Sequence, residues 1–350
     1  MHLQERINAL VALGNRLNDL EDDRIATAIR RTSNQNSWFT ADNQRLALAE
    51  IRDHFLNEKA LETWISAYKT EGEDLRNLED FANLKQNVGL VLAGNIPLVG
   101  FHDMLCVFVA GHKARIKLSD KDPFLLPMLL DFLKEIDNRT AAYFDTTTER
   151  LTGFDAVIAT GSNNSARYFE AYFGKYPHII RKNRNAVAIL RGSETAEELR
   201  LLGNDIFQYF GLGCRNVSKL YVPKGYNFTL LLETLHERNE IVLHDKYKNN
   251  FDYNFTLLIL NKIKYESNGC VLMREAVEIA SPISVVYYEF YDNLDDLTTT
   301  LQAKSDEIQL VVSSLPLDNL KTFNFGEAQK PSLSDYADGV DTMQFLITLK

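Results

Sequence analysis

Between residues 88 and 222 short apolar runs alternate with longer amphipathic stretches, and this alternation limits the possible folds more than any other feature of the chain. Residues 88–93 form an apolar run around Gly89, as a strand buried on both faces requires. Gly94-Asn95-Ile96-Pro97 breaks the run, and residues 98–110 predict a helix. Residues 114–118 read as the next strand, followed by a helix over 123–136. Residues 156–159 then precede Thr160-Gly161-Ser162, with a helix from about 164 to 173. Strands and helices in this order predict an α/β fold, a parallel sheet covered on both faces with right-handed crossovers. Such a sheet places ligands beyond the carboxyl ends of its strands, where Asn95, Lys117 and Gly161-Ser162 fall.

The second half repeats the texture. A strand is expected over 186–190, a helix over 195–210 and a strand over 219–222, with further strands at 255–259 and 284–288. Residues 3 to about 80 read as helices: Leu3, Ile7, Leu10, Leu13 and Leu17 fall near a 3.6-residue period, as do Leu48, Ile51 and Phe55. A chain of 350 residues exceeds one small core, and the polar stretch Arg181-Lys182-Asn183-Arg184-Asn185 is the expected boundary between two α/β domains.

Composition narrows the function classes. A net charge of -10 without a dense Lys/Arg run argues against a nucleic-acid partner. No stretch approaches the roughly eighteen apolar residues of a membrane span, so no stable membrane insertion is expected. The first residues carry no basic segment followed by an apolar one, which predicts a cytoplasmic protein. Three cysteines without a CxxC pair make neither a disulfide framework nor a metal site, so each is either packing or chemistry.

Cys214 is the candidate for chemistry. It lies in Phe210-Gly211-Leu212-Gly213-Cys214-Arg215-Asn216, between a predicted helix and a predicted strand, where glycines let a reactant approach the backbone. Further features accompany it in order: Gly94-Asn95-Ile96-Pro97, Lys117, Thr160-Gly161-Ser162, then Cys214, then Glu278-Ile279-Ala280-Ser281-Pro282. Taken singly each has a plain structural reading. Asn95 suits a turn, Lys117 a solvated strand end, Ser162 a helix cap and Glu278 an exposed surface.

As an ordered set over roughly residues 85–290, these motifs resemble the aldehyde dehydrogenase superfamily, and within it the LuxC-type fatty acyl-CoA reductases. The resemblance implies a dinucleotide-binding domain and a catalytic domain that carries the nucleophilic cysteine. It divides the chain into a helical region 1–84 packed on the cofactor domain, a dinucleotide-binding core 85–184, a catalytic domain 185–330 and a C-terminal strand within 331–350. That strand, residues 342–349, would close the cofactor domain or form an oligomer interface, and a homodimer is expected because an unpaired apolar edge is a liability.

The resemblance also implies roles. Cys214 would accept an acyl group, with the Asn95 side-chain amide and the Cys214 N–H holding the oxyanion. Lys117 and Asp120 would meet the adenosine ribose, Gly161 and Ser162 the pyrophosphate, and Glu278 the nicotinamide-side ribose. Two positions depart from the family pattern: Ala166 replaces a second glycine of the pyrophosphate turn, and Ser281 replaces the glycine before Pro282.

Hydrolytic members carry a Glu base upstream of the nucleophile. Here the matching region reads His178-Ile179-Ile180-Arg181-Lys182-Asn183-Arg184, without a carboxylate. Water is then poorly activated, and the acyl-enzyme would persist to meet a hydride. The expected activity is reduction of a medium- to long-chain acyl-CoA to an aldehyde. The LuxC-type resemblance implies NADPH, with NADH as the alternative: Lys121 favours a 2′-phosphate, whereas Asp120 beside it favours NADH. Arg215 could lower the thiol pKa, with His178 a second candidate partner. Two other readings stay open, an acyl-phosphate reductase of the same superfamily and a degenerate binding or scaffold subunit.

Overall fold

The computed structural model describes residues 1–68, 86–317 and 320–349. The chain forms two compact units, Met1–Lys182 with Pro331–Lys350, and Asn183–Lys330. The expected break at 84/85 lies outside the described residues. Among the described residues no helix is long and apolar enough to cross a membrane.

The first unit opens with α1 (Leu3–Arg16), α2 (Asp23–Gln35), α3 (Ala41–Glu50) and α4 (Glu58–Ser66). Leu3, Ile7, Leu10 and Leu13 form the buried stripe of α1. The starts of α2, α3 and α4 are set by Asp22, Thr40 and Asn57, whose side chains accept from Arg24, Asn43 and Ala60 N–H groups. There follow β1 (Asn87–Val91), α5 (Phe101–Val109), β2 (Lys113–Lys117), α6 (Leu125–Ile136), β3 (Phe144–Thr147), β4 (Ala156–Thr160), α7 (Asn163–Phe173) and β5 (His178–Arg181). The five strands are parallel, in the order β3-β2-β1-β4-β5. β1 is central: Val88 and Leu90 are fully buried on one face, and Gly89 and the partly buried Val91 lie on the other. From β1 the chain moves outward to β2, and from β4 outward to β5 in the opposite direction. The strand order therefore reverses between β1 and β4, which opens a crevice beyond their carboxyl ends.

The C-terminal segment corrects an expectation. Residues 342–347 are not a strand but a helix, Thr342–Ile347, in this same unit. Asp341 caps it by accepting from Gln344 N–H, and Thr342, Met343 and Leu346 are its buried residues. Side chains from the strands and α5 region fix it: Arg181 donates to Thr342 Oγ1 at 2.8 Å and His112 Nε2 meets the Leu346 carbonyl at 3.0 Å. The apolar run that suggested an edge strand is the buried stripe of a short helix, so the edge argument for a homodimer has no strand to rest on.

The second unit contains β6 (Asn185–Ile189), α8 (Ala196–Phe207), β7 (Val217–Pro223), α9 (Thr229–His236), α10 (Asp245–Leu260), β8 (Glu266–Ser267), β9 (Leu272–Glu275), β10 (Val285–Tyr291), α11 (Leu294–Ala303), β11 (Ile308–Ser313) and β12 (Thr322–Phe323). Its sheet runs β12-β11-β6-β7-β10-β9-β8, parallel except for the short antiparallel β8. Residues 255–259, expected as a strand, lie inside α10. Tyr247, Phe251, Asn254 and Leu258 set a helical period there. Phe251 and Leu258 bury against Leu272, Val285 and Tyr287, and this face overrides the local strand preference of Phe-Thr-Leu-Leu-Ile.

Candidate active site

In the first unit, the predicted residues Asn95, Lys117, Asp120, Gly161 and Ser162 all lie at the carboxyl edge of the sheet. Asn95 is half-buried in the bend after β1. Gly94 is required just before it, because a Cβ there would lie 2.1 Å from Ser119 Oγ in the loop after β2. The two loops are thus pressed together. Leu98, with a left-handed φ of 55°, donates its N–H to Asp122 Oδ2 at 2.9 Å. Burial pushes the Asp122 carboxyl up to about 6, against the hydrogen bonds that favour its charge. Lys117 ends β2 in register with Val91 of β1 and Thr147 of β3. Asp120 is exposed, and its carbonyl accepts from Gln35 Nε2 at 3.1 Å, so the end of α2 steadies this loop.

Gly161 follows β4. A Cβ there would lie 2.8 Å from both Ser165 Cβ and Phe169 Cε2, so α7 approaches as closely as a glycine permits. Ser162 caps the eleven-residue α7, its Oγ accepting from Ser165 N–H at 3.2 Å. Ala166, one of the two departures, is fully buried, so it keeps the close packing of α7. A glycine cradle at a helix N-terminus, beside the point where strand order reverses, fits the pyrophosphate of a dinucleotide.

His178 does not join this edge. It lies in β5, its Nδ1 bonded to the Tyr176 carbonyl at 2.8 Å and its Nε2 3.8 Å from Glu170. Arg181, at the end of the same strand, is buried and ion-paired with Asp103.

In the second unit, Cys214 sits on a tightly shaped loop. Tyr209, Phe210 and Gly211 are successive left-handed residues, with φ of 52°, 59° and 75°. For the two non-glycines that conformation is costly and must be held by its surroundings. Asn216 holds it. This residue is 2 % exposed; its Oδ1 accepts from Gly213 N–H at 2.8 Å, and its Nδ2 donates to the carbonyls of Asp205 at 3.1 Å and Gln208 at 2.8 Å. Asp205 carries the brace outward, accepting from Gly326 and Ala328 N–H groups at 2.7 and 3.0 Å. Burial pushes its carboxyl up to about 7.

Arg215 donates from Nε to the Ala328 carbonyl at 2.5 Å, and its guanidinium lies over Phe323. These partners anchor the loop to the 323–328 segment. Cys214 is half-buried, whereas Cys106 and Cys270 are buried. Burial raises the Cys270 thiol to about 11 and the Cys106 thiol well above its ordinary value, which makes both poor nucleophiles.

Glu278 is exposed on the return loop between β9 and β10. That loop folds back to the start of β7. Ser218 Oγ donates to the Ile279 carbonyl at 2.7 Å and Lys219 Nζ to the Val277 carbonyl at 3.0 Å. Cys214 and Glu278 are therefore both tied to β7. The second departure, Ser281, shapes the turn by donating to the Val285 carbonyl at 2.6 Å.

Sequence reasoning missed Asp205, Asn216, Ser218 and Lys219. Asn216 alone had a signal, a polar residue two places beyond Cys214 at the mouth of an apolar strand. Among the described residues no cluster of His, Cys, Asp or Glu could hold a metal ion.

No protein-family model and no curated protein matches the sequence. Solved structures do. Aldehyde dehydrogenase 21 from Physcomitrella patens, in complex with the reaction product succinate, is similar with a TM-score of 0.70 and 14% identity, covering 99% of this chain and 84% of that one. An acetylating aldehyde dehydrogenase from Geobacillus thermoglucosidasius is similar at 0.61 and 12%, covering 95% and 86%. An NAD-dependent aldehyde dehydrogenase from Sinorhizobium meliloti is similar at 0.64 and 12%, covering 91% and 71%. At these identities the likeness is one of fold, and the fold is aldehyde dehydrogenase-like.

Proposed function

We propose that this protein is a nicotinamide-dependent oxidoreductase that reduces acyl-CoA thioesters to aldehydes, with Cys214 as the acyl acceptor. The observation that carries the reading is the Cys214 loop. A strained three-residue turn is held by a buried Asn216 and a buried Asp205, and it presents the one cysteine of the chain that is not buried. Strain maintained this way is typical of a functional site.

In the proposed reaction the Cys214 sulfur attacks the thioester carbonyl. A new carbon–sulfur bond forms, the bond to the CoA sulfur breaks, and CoA leaves as its thiol with the proton that Cys214 gave up. The Asn95 side-chain amide and the Cys214 N–H are assigned to the oxyanion. Gly161, Ser162 and Lys117 are assigned to the pyrophosphate and adenosine ribose of the cofactor, Asp120 to the same ribose, and Glu278 to the nicotinamide-side ribose. When bound, a reduced nicotinamide would supply the hydride to the acyl carbon; the carbon–sulfur bond to Cys214 then breaks, releasing the aldehyde and returning Cys214 as its thiolate. Residues 178–184 offer no carboxylate to activate water, which favours reduction over hydrolysis. The Geobacillus relative is described as acetylating, so this kind of chemistry fits the fold. We take the substrate to be a medium- to long-chain acyl-CoA, the cofactor NADPH and the location the cytoplasm.

The test is oxidation of NADPH and of NADH with acyl-CoAs of several chain lengths, run beside Cys214→Ala. Turnover lost in the variant is the expected result. No turnover with any thioester, or turnover unaffected by the substitution, overturns the reading; activity confined to an acyl phosphate replaces the substrate class.

A further inference from the structure

The carbonyls on either side of Glu278 are held by two consecutive residues of β7. Ser218 takes the Ile279 carbonyl and Lys219 the Val277 carbonyl. In a regular strand such neighbours point to opposite faces and could not grip one short segment. Here the register breaks: Ala186 of β6 opposes Val217, and Val187 opposes Lys219, so Ser218 is skipped in the pairing, although its Oγ also lies 3.4 Å from the Ala186 carbonyl. This is a β-bulge, which adds a residue and re-aims the side chains around it.

Lys219 shows how much is invested in the contact. Its side chain is fully buried, a costly position for an ammonium. Glu289 Oε2 on neighbouring β10 compensates at 2.5 Å, and the Val277 carbonyl takes a second donor. Burial still pulls the Lys219 pKa down, with Glu289 acting against it. Lys304 adds another donor to the same carbonyl at 3.2 Å. Packing alone does not hold this stretch: Val277 is 69 % exposed, Glu278 is exposed, and only Ile279 is anchored in the core.

We propose that the bulge makes Ser218 and Lys219 positioning residues, which fix Glu278 to the strand that continues from the Cys214 loop and so set where the nicotinamide-side ribose is held. The inference rests on the reading that Glu278 contacts the cofactor. Neither residue touches the reacting atoms; both act through the peptide groups that flank Glu278.

The test uses the full chain with Ser218→Ala, Lys219→Met, Lys219→Arg and Glu278→Ala, together with Lys219→Met/Glu289→Gln, which leaves no unpaired buried charge if Lys219→Met fails to fold. Two quantities are measured: amide hydrogen exchange of residues 276–284 and the NADPH dissociation constant in the absence of substrate. The expected result for Lys219→Met, or its double variant, is faster exchange in this loop alone and about tenfold weaker NADPH binding, matching Glu278→Ala, with Lys219→Arg restoring both. Ser218→Ala should move both in the same direction by less. Unchanged loop exchange in the folded Lys219 variants overturns the clamp. Weaker NADPH binding in Glu278→Ala but not in the Lys219 variants overturns the positioning role. Unchanged NADPH binding in Glu278→Ala overturns the underlying assignment of Glu278 instead, whatever the exchange shows.

Discussion

The side chain of Asn216 accepts a hydrogen bond from the backbone N–H of Gly213 at 2.8 Å, and so closes a loop around Cys214. The same side chain donates to the Gln208 and Asp205 carbonyls, so one buried amide satisfies both ends of the turn. Buried polar groups left without such partners are expensive, which makes this residue the keystone of the Cys214 loop.

Asn216→Ala should therefore destabilise the protein by about 2–4 kcal/mol, since it leaves several buried backbone groups unpaired. Urea unfolding measures the loss. Residual folded variant should also react more slowly with acyl-CoA, because the left-handed turn that presents Cys214 is no longer held. A cost below about 0.5 kcal/mol, the range of ordinary surface substitutions, would contradict the bracing role.

Alkylation should separate the three thiols. Native protein treated briefly with iodoacetamide is expected to be modified at Cys214 first, with Cys106 and Cys270 labelled only after denaturation, since both are buried with raised thiol pKa values. Peptide mass spectrometry reads the order. Labelling of either buried thiol ahead of Cys214 would remove the basis for choosing the nucleophile.

Gly161→Ala should weaken nucleotide binding more than it affects stability. The added Cβ would meet Ser165 Cβ and Phe169 Cε2 at 2.8 Å and push α7 away from the loop that is assigned to the pyrophosphate. We expect roughly tenfold weaker NADPH binding by isothermal titration, equivalent to about 1.4 kcal/mol. Unchanged affinity would place the phosphates elsewhere.

Asp205 predicts a pH dependence. Its folded-state pKa of about 7 stands above the ordinary carboxylate value of 3.8, so the folded chain holds this proton more tightly than the unfolded one. The stabilisation linked to that proton is fully present below the unfolded value and is lost as pH rises through about 7. Urea unfolding from pH 4 to 8 should show this slope, at most about 1.4 kcal/mol per pH unit. The slope should shrink in Asp205→Asn. Parallel stability curves for the two proteins would refute it.

The Arg181–Asp103 pair offers a test of the first unit. Their side chains are only 5% and 8% exposed, and Arg181 also holds Thr342 of the C-terminal helix. Asp103→Ala should cost about 3–5 kcal/mol by leaving a buried guanidinium uncompensated. Limited proteolysis should then release the 331–349 segment first. Intact resistance to protease would show that the helix does not depend on this pair.

Much of the first unit was legible because its strands are short apolar runs that cannot be solvated. Residues 88–93, 114–118 and 156–159 have one economical solution, a central parallel sheet, and the glycines after β1 and β4 mark where another chain segment comes close. β3 and β5 were not, being four-residue strands with polar positions at the sheet's two edges. The candidate site divides the same way. The motifs, through the superfamily resemblance, nominate Asn95, Lys117, Asp120, Gly161, Ser162, Cys214 and Glu278 as candidates, and the first five lie at the carboxyl edge of the first unit's sheet.

Local sequence therefore determined which segments turn, which lie buried between two layers, and where a thiol is displayed, since these depend on backbone freedom and hydrophobicity within a few residues. Tertiary structure decided what depends on a partner distant along the chain. The run at 255–259 became helix because Phe251 and Leu258 found a buried face against Leu272 and Tyr287. The run at 342–347 became helix with Arg181 and His112 to anchor it. Lys219, a charge at the start of a predicted strand, is drawn into the interior where Glu289 and the Val277 carbonyl meet it, and no local pattern encodes a contact spanning seventy residues.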